Sequence, residues 1–102
     1  MPLLWWTSES LKDIPPWAYS HLIVKLGATH ETLSDLKCFE HRDLVNGVLT
    51  TLIRIFHPEK ARRAGIHDFA SLDQHPELIL WEGWYNADIG EVSLEQVNTG
   101  KP

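Results

Sequence analysis

"LVNGVLTTLIRIF" (residues 44–56) is the stretch whose reading decides the fold. Leu44, Val45, Val48, Leu49, Leu52, Ile53 and Phe56 recur at offsets 0, 1, 4, 5, 8, 9 and 12. Apolar residues repeating with a period near 3.6 mark a broad buried helix face. The pattern therefore predicts a central core helix over these residues, with Leu49 and Ile53 in the middle of its face. Gly47 inside such a helix costs about 1 kcal/mol relative to alanine. Close approach of a neighbouring helix or an indole would account for it.

Upstream, "DIPPW" (residues 13–17) closes an apolar arm over residues 1–15. Two prolines remove two backbone donors, and Pro16 suits the first turn of a helix. Tyr19, Leu22, Ile23 and Leu26 then follow at helical spacing, and Gly27 stands where a left-handed cap is wanted. This predicts a first helix over about 16–26, against a competing strand at "HLIVKL". Thr29 caps a second helix, with Glu31 in its positive first turn and Leu33, Leu36 and Phe39 as a thin stripe ending near His41.

Downstream, His57-Pro58-Glu59 follows the predicted core helix. A helix ending in His-Pro-acid resembles the J-domain, the chaperone module whose second helix leads into a His-Pro-Asp loop, and "AYSHLIVKLG" resembles that family's first helix. Three departures set this chain apart. The acid is Glu59, the preceding segment carries only Arg54 as a cation, and the interval from Gly27 to His57 is longer than the family's. The stretch reads instead as punctuation. Pro58 ends one element and opens a short helix, with Glu59 in its first turn, Lys60, Arg62 and Arg63 toward its end, and Gly65 as the stop.

"HDFASLD" (residues 67–73) predicts a short helical turn, and residues 77–97 read as two strands joined by "NADIG". Alternation puts Leu78, Leu80 and Trp84 on one side and Ile79, Trp81 and Tyr85 on the other. A helix over 76–86 is the rival. Together these predict one α+β domain over 1–102, with three or four helices packed on a small C-terminal antiparallel hairpin; an all-α bundle is the alternative. Residues 98–102 read as a frayed tail.

At 102 residues, 43% hydrophobic and 23% charged, the chain has the balance of one globular domain with one modest core. No apolar run approaches the roughly 20 residues of a membrane span, and the N-terminus lacks the basic start of a secretory signal. Lone Cys38 excludes an internal disulfide and fits the cytoplasm. A formal charge of −5 disfavours phosphate backbones, and Lys60, Arg62 and Arg63 are too few to reverse it. The expectation is no nucleic acid, no membrane and no cofactor.

Catalytic signals are weak. No two of the six histidines lie closer than eight residues, so a metal site would have to be assembled by the fold, for instance from His67, Asp68 and His75. Acidic neighbours argue against an activated Cys38 thiolate. The unusual feature is tryptophan: of five, four cluster as Trp5-Trp6 and as Trp81 with Trp84-Tyr85. Adjacent residues in an extended segment point to opposite faces, so both faces need covering, and helices can cover one. Trp5, Trp6, Trp81, Trp84 and Tyr85 are therefore the interface or ligand candidates. The function expected is non-catalytic protein–protein interaction, as a small acidic regulator, adaptor or inhibitor, with a homodimer expected. The alternative is a small-molecule-binding protein or enzyme with a tryptophan-lined pocket and His or Glu polar groups.

Overall fold

The structure, a computed structural model, describes residues 11–98. Its decisive feature is at Asn46-Gly47. Both residues have positive φ, 53° and 80°. Two left-handed residues in succession are the signature of the tight type I′ turn, whose twist matches that of paired strands. The segment predicted as the core helix is accordingly a β-hairpin: β1 (Lys37–Val45) pairs antiparallel with β2 (Val48–Phe56), from Lys37 opposite Phe56 to Val45 opposite Val48.

β2 continues into β3 (Trp81–Asn86), which pairs with β4 (Glu91–Gln96), giving a four-stranded antiparallel sheet in the order β1-β2-β3-β4. The fold is mixed α+β, but the predicted arrangement of helices on a C-terminal hairpin is corrected. The C-terminal hairpin is half of a larger sheet. Among the described residues three short α-helices accompany it, α1 (Pro16–Val24), α2 (His30–Ser34) and α3 (Pro58–Arg63). The second helix stops at Ser34 because Leu36, Cys38 and Phe39 are spent on the entry to β1.

Local signals read correctly elsewhere. Pro16 opens α1, and Gly27 closes it with φ 74° while the Ala28 amide donates to the Leu22 carbonyl. Thr29 Oγ1 accepts the Thr32 amide at 3.1 Å, capping α2. Pro58 opens α3, where Arg62 bonds Glu59 at 2.6 Å. What precedes His57-Pro58 is a strand and not a helix, so the J-domain arrangement is absent.

Two cores follow from the pairing, because directly opposed residues share a face. The upper face presents Cys38, Ile53, Ile55, Trp81 and Leu94, and α1 and α2 cover it with Ala18, Leu22 and Leu33. The lower face presents Phe39 and Phe56, covered by Ala61 of α3, Leu72 and Ile79. Arg54 clamps this second cover. One of its terminal nitrogens donates to the Phe69 carbonyl at 2.8 Å and the other reaches Asp73 at 2.8 Å, while the guanidinium lies 4.3 Å from the Phe69 ring centre. Leu49, predicted for the centre of the core, is 55% exposed, whereas Ile53 is 1% exposed. Asn98 donates to the carbonyls of Pro76 and Ile79, and residues 99–102 of the predicted tail lie outside the described residues.

Candidate functional site

The second cover reaches only part of the lower face. α3 and the two 3-10 turns that follow it (Ala70–Gln74 and Pro76–Leu78) shield the end near Phe39 and Phe56. Toward the Asn46-Gly47 turn the lower face stays open. Register places Leu52 directly opposite Trp84, and the two side chains, both half-buried, form the floor of a groove.

At one end the floor opens into a concavity of about 350 Å³ bordered by Val45, Val48, Thr50, Asn86, Ile89 and Glu91. At the other it runs into one of about 360 Å³ bordered by Arg54, Phe69, Glu82, Ser93 and Glu95. Leu52 and Trp84 belong to both, so the two are continuous. The rim is apolar and exposed near the turns, with Val45 45% and Ile89 60% exposed. Its β3–β4 side is acidic, carrying Glu82, Glu91 and Glu95. Among the described residues Arg54 is the cation bordering this floor, and it is turned toward Phe69 and Asp73, with Glu82 at 4.0 Å from its Nε. The groove thus combines an aromatic floor with a negative wall.

The sequence candidates separate cleanly. Trp84 is the groove floor. Trp81 is 8% exposed in the upper core and reaches the surface only in a concavity bordered by Leu26, Thr29 and Gln96. Tyr85 points to the upper face and stacks on Trp17 at 5.0 Å between ring centres, with 20° between the planes. Trp5 and Trp6 lie outside the described residues. Leu52, Val48 and Ile89 join the site although sequence reading assigned the first two to a helix and the third to a turn. The alternation of Trp84 against Trp81 and Tyr85 was the usable signal.

The chemical candidates are scattered. Cys38 is fully buried, its thiol 3.7 Å from the Asp13 carbonyl, and burial first, then the Glu40 charge, push it from an ordinary 9.0 up to about 12. His67 Nδ1 lies 3.6 Å from Asp68, whereas His75 Nδ1 lies 3.2 Å from Glu77. Among the described residues no three His, Cys, Asp or Glu side chains are grouped to hold a metal ion; His41, opposite Leu52 on the lower face, stacks on Phe69 at 5.4 Å between ring centres beside the groove. No described helix is long and apolar enough to cross a membrane. Comparison with protein-family models, with curated proteins and with solved structures returned no match.

Proposed function

We propose that the protein is a small acidic protein–protein interaction module, a regulator, adaptor or inhibitor without catalysis of its own. Its contact surface is the lower-face groove. The observation that carries this reading is the Leu52–Trp84 floor, apolar and open, beside Glu82, Glu91 and Glu95. Tryptophan and its neighbours dominate the energetics of protein interfaces, and a negative rim steers a positive partner. The partner is therefore a segment that inserts one or two large apolar side chains and carries Lys or Arg beside them. Cytoplasmic residence belongs to the same proposal, since a single buried thiol fits a reducing compartment.

The test is an NMR titration of labelled protein with peptides that place leucine or phenylalanine among lysines. Amide shifts centred on Val48, Leu52, Trp84 and Ile89, lost in Trp84→Ser, support the reading. Equal binding of acidic analogues, or shifts elsewhere, refutes it. Self-association is a second reading, carried by exposed Leu44 and Leu49 on the upper side of the β1–β2 turn. A two-fold dimer uses one patch twice, and Trp81 has no part in it. Sedimentation at micromolar concentration tests that reading, and a monomer mass ends it.

A further inference from the structure

At β4 the sheet ends in a strand that pairs on one side only. The Val97 amide donates to the Leu80 carbonyl at 2.7 Å. In an antiparallel ladder the residues in phase with Val97, namely Glu95, Ser93 and Glu91, also turn their amides and carbonyls inward to β3. Val92, Leu94 and Gln96 therefore turn theirs outward, and among the described residues nothing bonds to them. The opposite edge differs, because Lys12 takes both backbone groups of Cys38 on β1, at 3.1 and 2.9 Å.

Side chains alternate along the same strand. Val92 and Leu94 face the upper core, where α1 lies over β4. Glu91, Ser93 and Glu95 face the lower side and are exposed. Ser93 stands directly opposite Trp84. It is small, and it borders the same concavity as Trp84, Glu82 and Glu95, so the groove floor is open toward this edge. A strand added to β4 would lie about 4.8 Å beyond it. Its residue opposite Ser93 would reach Trp84 across the serine, and the residues two positions away on either side would stand opposite Glu91 and Glu95.

We propose that the partner of the groove is an extended basic segment that joins β4 as a fifth, antiparallel strand. This mode of binding rests on the groove being the contact surface, and it names how the partner is held. The pattern required is Lys or Arg, a small residue, a large apolar residue, a small residue, and Lys or Arg. The central side chain lies over Ser93 against Trp84, and the cations meet Glu91 and Glu95. The small residues exchange backbone bonds with Val92 and Leu94 and fit beside α1. In such strand addition the main chain supplies affinity and alternate side chains supply specificity. Every pair already in the sheet is antiparallel, the slightly more stable ladder. The acidic edge also selects against a second copy of itself. Two β4 strands centred on Ser93 would set Glu91 opposite Glu95 twice, and like charges directly opposite are destabilising.

The probe is the peptide acetyl-Thr-Lys-Thr-Phe-Thr-Lys-Thr-amide, titrated into the full chain and followed by NMR. Two N-methylated forms are compared with it. Methylating the threonine before phenylalanine removes a donor aimed at β4 and is expected to weaken binding about tenfold, as loss of a hydrogen bond does. Methylating phenylalanine, whose amide points away from β4, is expected to change affinity less than about twofold. In the saturated complex, solvent exchange of the Val92 and Leu94 amides is expected to slow about tenfold, with Ser93 unchanged. Shifts at Leu52 and Trp84 accompanied by equal or reversed methylation effects, or by unslowed exchange at Val92 and Leu94, overturn the added strand and leave the groove as the contact surface. No shift at millimolar peptide overturns both.

Discussion

Gly47→Ala separates hairpin from helix by the sign of its effect. In the structure Gly47 has φ 80° and nothing lies within 4 Å of where a Cβ would stand. No clash confuses the result, and the substitution reports backbone conformation alone. A left-handed residue with a side chain costs roughly 1–2 kcal/mol. Alanine also restricts the unfolded chain, which returns about 0.4–1 kcal/mol. The net expectation is a loss of about 0.5–1.5 kcal/mol. Were residues 44–56 a helix, the same change would gain about 1 kcal/mol. The two readings therefore differ by roughly 2 kcal/mol and have opposite signs. Urea unfolding followed by far-ultraviolet circular dichroism resolves such a difference. In a domain of this size a loss of about 1 kcal/mol lowers the thermal midpoint by roughly 4–8 °C. A stabilised Gly47→Ala protein would refute the hairpin and the sheet built on it.

Ile53→Ala should cost about 2–5 kcal/mol in urea unfolding, as a buried truncation does, while Leu49→Ala should cost about 1 kcal/mol or less; equal losses would restore the helix. At Gly83 an added Cβ would stand 1.8 Å from the Ser93 carbonyl oxygen and 2.8 Å from Leu94 Cα, so Gly83→Ala must displace β4. A loss of about 1–3 kcal/mol is expected, with broadened amide signals at Ser93 and Leu94, and an unchanged spectrum would contradict the β3–β4 register. Cys38 should react slowly with a thiol reagent at pH 8 until urea is added. Its folded thiol holds a proton up to about 12 against an ordinary 9.0, so the folded state binds more protons across that window. Its contribution to stability is whole below pH 9 and is lost as pH rises from 9 toward 12; a Cys38→Ala protein with the same alkaline slope would show that the thiol is not responsible.

The errors of the sequence reading have a physical cause in the two-sided hairpin. A strand with one wet face alternates, and alternation is what period-two reading detects. Here Leu44 and Val45, Val48 and Leu49, and Leu52 and Ile53 are adjacent apolar pairs because both faces of β1–β2 carry apolar groups. Pairs spaced by four satisfy a helical period equally well. The arbiter was the dipeptide between them. Asn46-Gly47 between the apolar pairs Leu44-Val45 and Val48-Leu49 is a strong short-range hairpin signal, and reading Gly47 as a tolerated helix glycine set it aside. Prolines and caps were legible because their effect is local: Pro16, Gly27, Thr29 and Pro58 act within one turn of themselves. The pairing of β2 with β3, which are separated by α3 and two 3-10 turns, is not local, so the full sheet was out of reach of the same rules.

The site was half legible for a related reason. Alternation alone separates Trp84 from Trp81 and Tyr85, but only the covering elements decide which side is core. α1 supplies Trp17 to stack on Tyr85 and leaves Trp81 buried beneath it. The lower cover, pinned by Arg54 to Phe69 and Asp73, stops short of Trp84. A short α3 of six residues cannot span the face that a longer helix would close. Gly65 ends α3 with φ 77° beside Leu11 and Phe39, and Ile66 then packs on the lower core with Phe39 and Phe56.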